Sequence, residues 1–283
     1  MTPVPTGTVG HPRQYADSLI LFILSICELF HLPLRQSIGL TQDILKLSGI
    51  IWQLPDYSTL SRRMSTLSVD FCHNFRSSNV VFLIDSSGFK VFGEGEWKVR
   101  KHGYGYRRTW RETHIAVDYA TKTIIGLINT ASNIHDNTQL KPLLEQVQQT
   151  QQAACVTTII GDGAYDAKVS YQLARDHHLK LIVPPPKNAT EHLNMYHYRL
   201  YDQPSWQERN EVVRRVDEIG INAWKQETGY HRRSLVENSF FRLKKLFGGN
   251  LKSRTEPAQY TEQCIRASLL NRFNETGLPQ YTN

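Results

Sequence analysis

The 283-residue sequence predicts an α/β domain that follows a smaller helical segment. Two unbroken apolar runs, at residues 80–84 and 156–160, have the length and β-branched character of strands that are covered on both faces. Stretches with helical spacing separate the later strand candidates. The predicted order is therefore three strands, helix, strand, helix, strand and helix, an alternation expected of an α/β domain.

The segment before the first strand is predicted to be helical, because its apolar residues recur with helical spacing between prolines. Asp56 or Ser58 is a candidate N-cap for its last helix, whose arginines are expected to be exposed. Three short helices resemble a helix-turn-helix unit that binds DNA, and a helical subdomain that only supports the α/β domain is an equal alternative. The predicted helices cover about residues 15–31, 34–47 and 58–68.

Later elements follow from the same periodicities. Asp136 precedes a predicted helix and is expected to cap it rather than to bind a metal together with His135. The remaining strands are expected at about residues 113–119, 123–130 and 179–183, and helices at about 137–151 and through 169–174.

Asp85 and Asp162 stand at the ends of the two buried runs. Glycines flank Asp162 on both sides, so that backbone or a ligand can approach it closely. The alternative for either aspartate alone is that it caps a turn, as aspartate often does after a strand. Their occurrence together with a third acid downstream favours a functional site.

Tyr230, Arg233, Glu237 and Lys244 recur at intervals of three, four and seven residues, which places all four on one stripe of a predicted helix. A carboxylate between two cations suits a divalent metal ion beside a phosphate chain, with Glu237 on the ion and the cations on phosphate oxygens. The alternative is a set of i,i+4 ion pairs on a solvated helix face. An apolar seam beside the stripe, which indicates that the helix lies on a core, consists of Val236, Phe240, Leu243 and Phe247.

Three segments resemble, in order, the catalytic blocks of the DDE transposases of bacterial insertion sequences. They are residues 83–88 (Leu-Ile-Asp-Ser-Ser-Gly), 161–166 (Gly-Asp-Gly-Ala-Tyr-Asp) and 230–237 (Tyr-His-Arg-Arg-Ser-Leu-Val-Glu). That family also has a Tyr, Arg, Glu, Lys signature with gaps of two, three and six residues, which the stripe from Tyr230 to Lys244 matches. The likeness covers nearly the whole chain from about Tyr15.

The resemblance implies a ribonuclease H-like fold, which is a mixed sheet flanked by helices. In that fold the ends of the first and fourth strands lie side by side, and here they carry Asp85 and Asp162, while a late helix brings Glu237. A small helical insertion would precede that helix, and Trp206 or Trp224 within it would grip a flipped base; the alternative is that Trp224 packs the insertion. The implied division is a mobile tail at residues 1–14, a helical DNA-binding subdomain at 15–76, and a catalytic domain at 77–283 with its insertion at about 185–229.

The resemblance further implies a transposase that cuts the ends of its insertion sequence and joins them to target DNA by two-metal phosphoryl transfer. Asp85, Asp162 and Glu237 would hold two Mg²⁺ ions, for which Mn²⁺ would substitute. The partners would be terminal inverted repeats, target DNA and a second identical subunit, with no small-molecule substrate. Two alternatives stay open: a structure-selective nuclease of the same fold, and a captured DNA-binding protein without catalysis.

A basic and aromatic segment is the first candidate for a DNA-contacting loop. Between residues 97 and 111 there is no acid, and four large aromatic residues are interleaved with the cations. Basic residues bind the DNA backbone and aromatic residues stack on bases, and a net charge of +7 with a pI of about 9.2 favours polyanionic partners. The candidate contacts are Lys98, Arg100, Lys101, Arg107, Arg108, Trp110 and Arg111.

Cysteine usage and hydropathy bear on where the protein works. The four cysteines are scattered without a C-x-x-C pair, which indicates neither a zinc site nor a disulfide framework. The apolar run at residues 19–27 is too short to cross a bilayer, and no export signal marks it. Together with the resemblance, these features predict a bacterial cytoplasmic protein that is associated with the nucleoid and not with a membrane.

Overall fold

The computed structural model describes residues 14–72, 79–91, 110–150, 155–191 and 204–277. Almost all of the predicted tail at residues 1–14 lies outside the described residues. The same holds for most of the basic and aromatic segment, including Lys98, Arg100, Lys101, Arg107 and Arg108. The predictions for these residues stay predictions.

Each predicted helix and strand is present in the described chain, and most bounds differ by a few residues. Three 3-10 turns accompany them, at Asp136–Gln139, Gly163–Tyr165 and Tyr230–Arg233. In chain order the elements are α1 (Asp17–Leu29), α2 (Leu34–Leu47), α3 (Tyr57–Met64), β1 (Asn79–Val91), β2 (Trp110–Asp118), β3 (Ile124–Ala131), α4 (Leu140–Thr150), β4 (Cys155–Ile160), α5 (Lys168–Asp176), β5 (Lys180–Ile182), α6 (Pro204–Ile219), α7 (Ile221–Thr228), α8 (Ser234–Phe247), β6 (Asn250–Leu251) and α9 (Glu256–Thr276).

The described residues form two compact units. One unit holds those within residues 1–71, 89–109 and 242–283, and the other holds those within residues 72–88 and 110–241. In the first unit α9 packs against α1 and α3. The domain boundaries predicted from the sequence, at residues 14, 76 and about 185–229, stay predictions.

The core of the first unit contains a buried ion-pair network. Arg266 on α9 is fully buried, and its guanidinium donates to Glu28 on α1 at 2.8 Å and to Glu262 at 2.5 Å. A further N–H donates to the carbonyl of Asn250 at 3.0 Å. Because a buried guanidinium is tolerated only when it is paired and hydrogen-bonded, this network fixes α9 against α1.

Helix α3 begins at one of the two predicted caps. The carboxylate of Asp56 accepts a hydrogen bond from the backbone N–H of Ser58 at 2.9 Å. Arg62 is exposed as predicted. The prediction is wrong for Arg63, whose side chain is 13% exposed and ion-paired with Asp17 on α1. The pair attaches α3 to α1, and the two interpretations of the helical segment stay open.

A six-stranded mixed sheet runs through the chain in the order β3-β2-β1-β4-β5, with β6 paired to the end of β1. β2 and β3 are antiparallel, whereas β4 is parallel to β1 and to β5. The first and fourth strands are therefore neighbours, as predicted. This mixed sheet flanked by helices confirms the ribonuclease H-like arrangement.

The predicted role of Asp136 as a helix cap is wrong. Residue His135 occupies the cap position of the 3-10 turn that leads into α4, and no side-chain cap bond forms there. The carboxylate of Asp136 faces the buried ring of His114 on β2, with Oδ1 3.7 Å from Nδ1. Asp136 therefore lies beside His114 on β2 and makes no capping bond in its own turn.

Helices α6 and α7 lie between β5 and α8, where the helical insertion is predicted. Gly220 separates them with a φ of +80°, a conformation that glycine adopts without strain. Trp224 on α7 is 3% exposed, and its ring centroid lies 6.1 Å from that of Tyr230. This burial favours the alternative in which Trp224 packs the insertion, whereas Trp206 on α6 is partly exposed.

The most apolar helix of the first unit, α1, is a core helix as predicted. Ile20 and Ile23 are fully buried, and Leu24 is 1% exposed. No single helix in the described parts of the chain is long and apolar enough to cross a membrane. Only α1 and α2 together have the length and composition of a membrane span, and the chain bends by 111° between these two helices.

Candidate active site

The register of two parallel strands positions the two aspartates. Leu83 on β1 pairs with Ile160 on β4, and each strand reaches its aspartate two residues later. Asp85 and Asp162 therefore lie at neighbouring positions. Their side chains are 14% and 35% exposed, respectively. The prediction that Asp85 stands at the end of its strand is wrong, because β1 continues to Val91 and pairs there with β6.

Asp162 caps a turn, and this contact is compatible with the predicted role in a site. Its Oδ1 accepts from the backbone N–H of Ala164 at 3.0 Å and so caps the 3-10 turn after β4. Its other carboxylate oxygen stays available to the site, where it lies 3.7 Å from Nη2 of Arg233. The capping bond orients the carboxylate but occupies only one of its two oxygens.

The two glycines beside Asp162 differ in their surroundings. A Cβ on Gly161 would lie 2.8 Å from the ring of Tyr165 and 3.1 Å from a methyl group of Ile84. A Cβ on Gly163 would meet nothing closer than the carbonyl oxygen of Pro184, at 3.5 Å. The close approach predicted for both glycines is therefore found only at Gly161.

The single helical stripe predicted for the signature is interrupted. Gly229, with a φ of +70°, ends α7, and Tyr230–Arg233 form a 3-10 turn before α8 begins at Ser234. Glu237 is on the first turn of α8. The left-handed glycine redirects the chain, and the turn still places Arg233 beside Glu237.

The guanidinium of Arg233 contacts all three candidate acids. Nη2 donates to Oδ1 of Asp85 at 3.2 Å and lies 3.7 Å from Oδ2 of Asp162. Nη1 donates to Oε1 of Glu237. In the described part of the chain, the buried Nε–H of Arg233 has no hydrogen-bond partner. The tertiary structure thus assembles the predicted triad around one internal cation.

Burial and neighbouring charges shift the pKa values within this cluster. Burial raises the pKa of the Asp85 carboxyl, which the Arg233 cation only partly opposes. For Arg233, burial lowers the pKa, but the attraction of Asp85, Tyr230, Glu237 and Asp162 together outweighs it and the net shift is upward. We take the cluster as three carboxylates that share one permanent cation, because the arginine does not lose its proton in proteins. Its excess of negative charge suits a further cation.

The acids face Arg233 instead of one another. Within the described ranges, no three Asp, Glu, His or Cys side chains are arranged so that they could hold a metal ion as they stand. The side chain of Glu237 is 54% exposed, compared with 14% for Asp85. Glu237 therefore has the most freedom to change its position.

The remaining predicted contacts occupy different surroundings. Tyr230 is half-buried between Trp224 and Lys225, whose Nζ lies 5.5 Å from its ring centroid. Lys244 lies on α8 with its ammonium 5.0 Å from the ring centroid of Phe89. Arg111 is on β2, as is Trp110, whose ring would lie 3.2 Å from a Cβ on Gly88 and therefore belongs to the sheet.

A buried ion pair behind the site was not singled out from the sequence. Arg209 on α6 donates to both carboxylate oxygens of Asp166, with Nη2 3.0 Å from Oδ2. Their side chains are 7% and 2% exposed. Tyr171 donates to the same carboxylate at 3.1 Å. The sequence feature that could have indicated this pair is the second aspartate of the Gly-Asp-Gly-Ala-Tyr-Asp block. Its partner, Arg209, lies 43 residues away, so no local pattern connects the two.

Comparison with known proteins gives one extensive family match. A family model described as "Transposase DDE domain" matches residues 76–272, which is more than half of the chain, and a second model with the same description matches residues 2–94.

Likeness to solved structures is weak. The Drosophila P element transposase strand transfer complex aligns with a TM-score of 0.35 and 12% identity over 93% of this chain and 80% of that chain. The Mos1 transposase paired-end complex aligns with a TM-score of 0.26 and 10% identity over 63% and 61%.

Proposed function

The chain belongs to the family of transposases with a DDE domain, and we propose that Asp85, Asp162 and Glu237 are the acids with which it cuts and joins DNA. The observation that carries this assignment is their convergence on the single guanidinium of Arg233. Three carboxylates from β1, the turn after β4 and α8 are more than one guanidinium needs as counterions, and their mutual repulsion destabilises the fold. A catalytic need for a cation explains their meeting.

The donor set fits divalent metal ions. Carboxylate oxygens are the ligands that Mg²⁺ and Mn²⁺ prefer, and the three acids already gather around a positive charge. When bound, two such ions supply an activated oxygen nucleophile and stabilise the leaving oxygen of an in-line displacement. Parallel strands hold Asp85 and Asp162 in fixed register, while the exposed Glu237 closes the ligand set.

The signature residues other than Glu237 hold the DNA backbone. The planar fork of Arg233 matches two oxygens of a phosphate, and its Nε–H is a donor without a partner in the described chain. Lys244 supplies a second positive charge from α8. Tyr230 contributes a hydroxyl beside the phosphate, and its burial raises its pKa so that it stays protonated.

The substrate class is double-stranded DNA with the ends of an insertion sequence. The net charge of +7 favours such a polyanion, and the segment with Arg107 and Arg108 supplies further backbone contacts. A second identical subunit would bind the other end, so that both ends are cut and joined together. With DNA as the substrate, we place the enzyme at the bacterial nucleoid.

The test compares nicking and joining by amide variants of the triad. Asp85→Asn, Asp162→Asn and Glu237→Gln should each abolish cleavage of an end duplex in Mg²⁺, while the duplex is still bound. Glu218→Gln, at an acid whose side chain is 63% exposed on α6, is the matched control and should cut at the wild-type rate. Joining of the cut end to a second duplex separates a transposase from a nuclease that only hydrolyses. Full cleavage by any folded triad variant would refute the assignment of that acid.

A further inference from the structure

The Arg233 guanidinium occupies the position among the three acids at which a metal ion would bind. Its Nη2 is 3.2 Å from Asp85 Oδ1 and 3.7 Å from Asp162 Oδ2, and its Nη1 donates to Glu237 Oε1. One oxygen of every triad acid is thus directed at this guanidinium. The Arg233 side chain is only 17% exposed, so the contacts are not those of a solvated surface pair.

The guanidinium and a divalent ion compete for these oxygens. A metal ion binds carboxylate oxygens directly, at about 2.0–2.1 Å for Mg²⁺, and each carboxylate proposed as its ligand directs one oxygen at Arg233. An ion that binds these oxygens has to displace the guanidinium from them. In this arrangement the same oxygens therefore bind either Arg233 or a metal ion, and not both.

We infer that Arg233 is an internal competitor of the metal: in the DNA-free protein its guanidinium fills the cation position of the triad, and it must leave before metal binds. The inference rests on the proposed function of the triad. It also explains why no three of the described acids are arranged to hold an ion as they stand, since they are oriented towards a guanidinium.

A DNA phosphate is the alternative partner to which the Arg233 guanidinium moves. The guanidinium forms bidentate bonds with phosphate oxygens, and its Nε–H is unpartnered among the described residues. When Arg233 turns to a phosphate, the acids lose their cation and the triad regains its full negative charge. DNA binding then precedes metal binding, so the DNA-free enzyme is kept inactive.

The test measures Mn²⁺ binding to the DNA-free protein by the loss of the electron paramagnetic resonance signal of the free ion. Arg233→Ala should bind Mn²⁺ at least about tenfold more tightly than the wild type, because a cation next to the ligands is removed. Arg232→Ala is the matched control, because it removes the same charge one residue away, where the guanidinium lies 5.3 Å from the ring centroid of Tyr119. Its affinity should stay near that of the wild type.

A competition experiment separates occupancy from a general change of charge. Guanidinium chloride at a non-denaturing concentration should weaken Mn²⁺ binding to Arg233→Ala, while the same concentration of sodium chloride should not. Adding Asp85→Asn to Arg233→Ala should abolish the gain in affinity, which shows that the ion is at the triad.

Two negative results of the Mn²⁺ binding experiment would have different meanings. If Arg233→Ala and the wild type bind Mn²⁺ equally, and Asp85→Asn weakens binding in both, then the ion uses the triad and Arg233 is not its competitor. If Asp85→Asn has no effect in either background, the ion binds elsewhere, and the proposed triad fails as well. Should Arg233→Ala not fold, Arg233→Gln replaces it, because glutamine removes the charge and keeps part of the side-chain volume. An unchanged affinity in the folded glutamine variant would overturn the inference.

Discussion

Arg209 and Asp166 form a buried ion pair that ties helix α6 to the turn after Asp162. The guanidinium donates to both carboxylate oxygens, at 3.0 to 3.2 Å, and a further N–H donates to the carbonyl of Thr190 at 3.2 Å. Asp166 is four residues beyond Asp162. Helix α6, which lies in the predicted insertion, is therefore attached to the turn that follows β4.

Breaking this pair should destabilise the protein strongly. Asp166→Asn leaves the Arg209 charge buried without a counterion, which costs about 3–5 kcal/mol of unfolding free energy. Arg175→Ala is the control, since Arg175 on α5 and Glu208 on α6 form an exposed pair at 3.4 Å, and such pairs contribute about 0–1 kcal/mol. Urea denaturation followed by circular dichroism measures both. Equal losses in the two variants would contradict a structural role for the buried pair.

The glycines beside Asp162 should respond differently to alanine. In Gly161→Ala the new methyl group meets the ring of Tyr165 at 2.8 Å, and overpacking of this kind costs about 1–3 kcal/mol. Gly163→Ala, with its nearest neighbour at 3.5 Å, should melt near the wild-type temperature. Differential scanning calorimetry compares the two. A tolerated Gly161→Ala would mean that the Tyr165 ring shifts freely.

His114 should make stability depend on pH below neutrality. Burial lowers its pKa from the ordinary value of 6.5, more than Asp136 raises it. Below about pH 6.5 the unfolded chain takes up a proton that the folded chain refuses, so acid favours unfolding by up to about 1.4 kcal/mol per pH unit. His114→Gln should flatten this part of the curve, and the exposed His231→Gln should not. Identical slopes for all three proteins would contradict the argument.

The phosphate contacts proposed for the signature have their own test. Arg233→Lys keeps the charge but loses the planar fork, and Lys244→Gln loses the charge. Both should slow single-turnover nicking of a preformed end complex in saturating Mg²⁺ by on the order of tenfold or more, which is about 1.4 kcal/mol of transition-state stabilisation. Ion pairs on a solvated helix face would leave the rate unchanged. Wild-type rates in both folded variants would therefore refute the proposed phosphate contacts.

The basic and aromatic segment predicts a change in salt dependence. Replacing Arg107 and Arg108 with alanine should weaken DNA binding and reduce the slope of log affinity against log salt concentration by up to about two, because each lost phosphate contact removes nearly one released counterion. Titration of a labelled end duplex at several salt concentrations measures the slope. A slope equal to that of the wild type would place the segment away from DNA.

Local sequence pattern was sufficient for the two apolar runs and the aspartates that follow them, but not for the continuation of β1 through Asp85 to Val91. A strand covered on both faces shows as a short apolar run, so the runs before Asp85 and Asp162 could be recognised without a structure. The spacing from Tyr230 to Lys244 also identified Glu237, although the chain reaches it through a 3-10 turn and not through one continuous helix. The cap at Asp56 was predictable because its partner, Ser58, is two residues away.

The partners of buried charges depended on the tertiary structure. Arg233 and Asp85 are 148 residues apart, and Arg209 and Asp166 are 43 apart. The sequence by itself therefore determined the two apolar strand runs and the aspartates that follow them, since strand burial and residue spacing are local properties. Only the tertiary structure decided that Arg233 lies among those acids and that Asp136 faces His114 instead of capping a helix. Sheet order and register bring such distant groups together, and burial then makes their pairing obligatory.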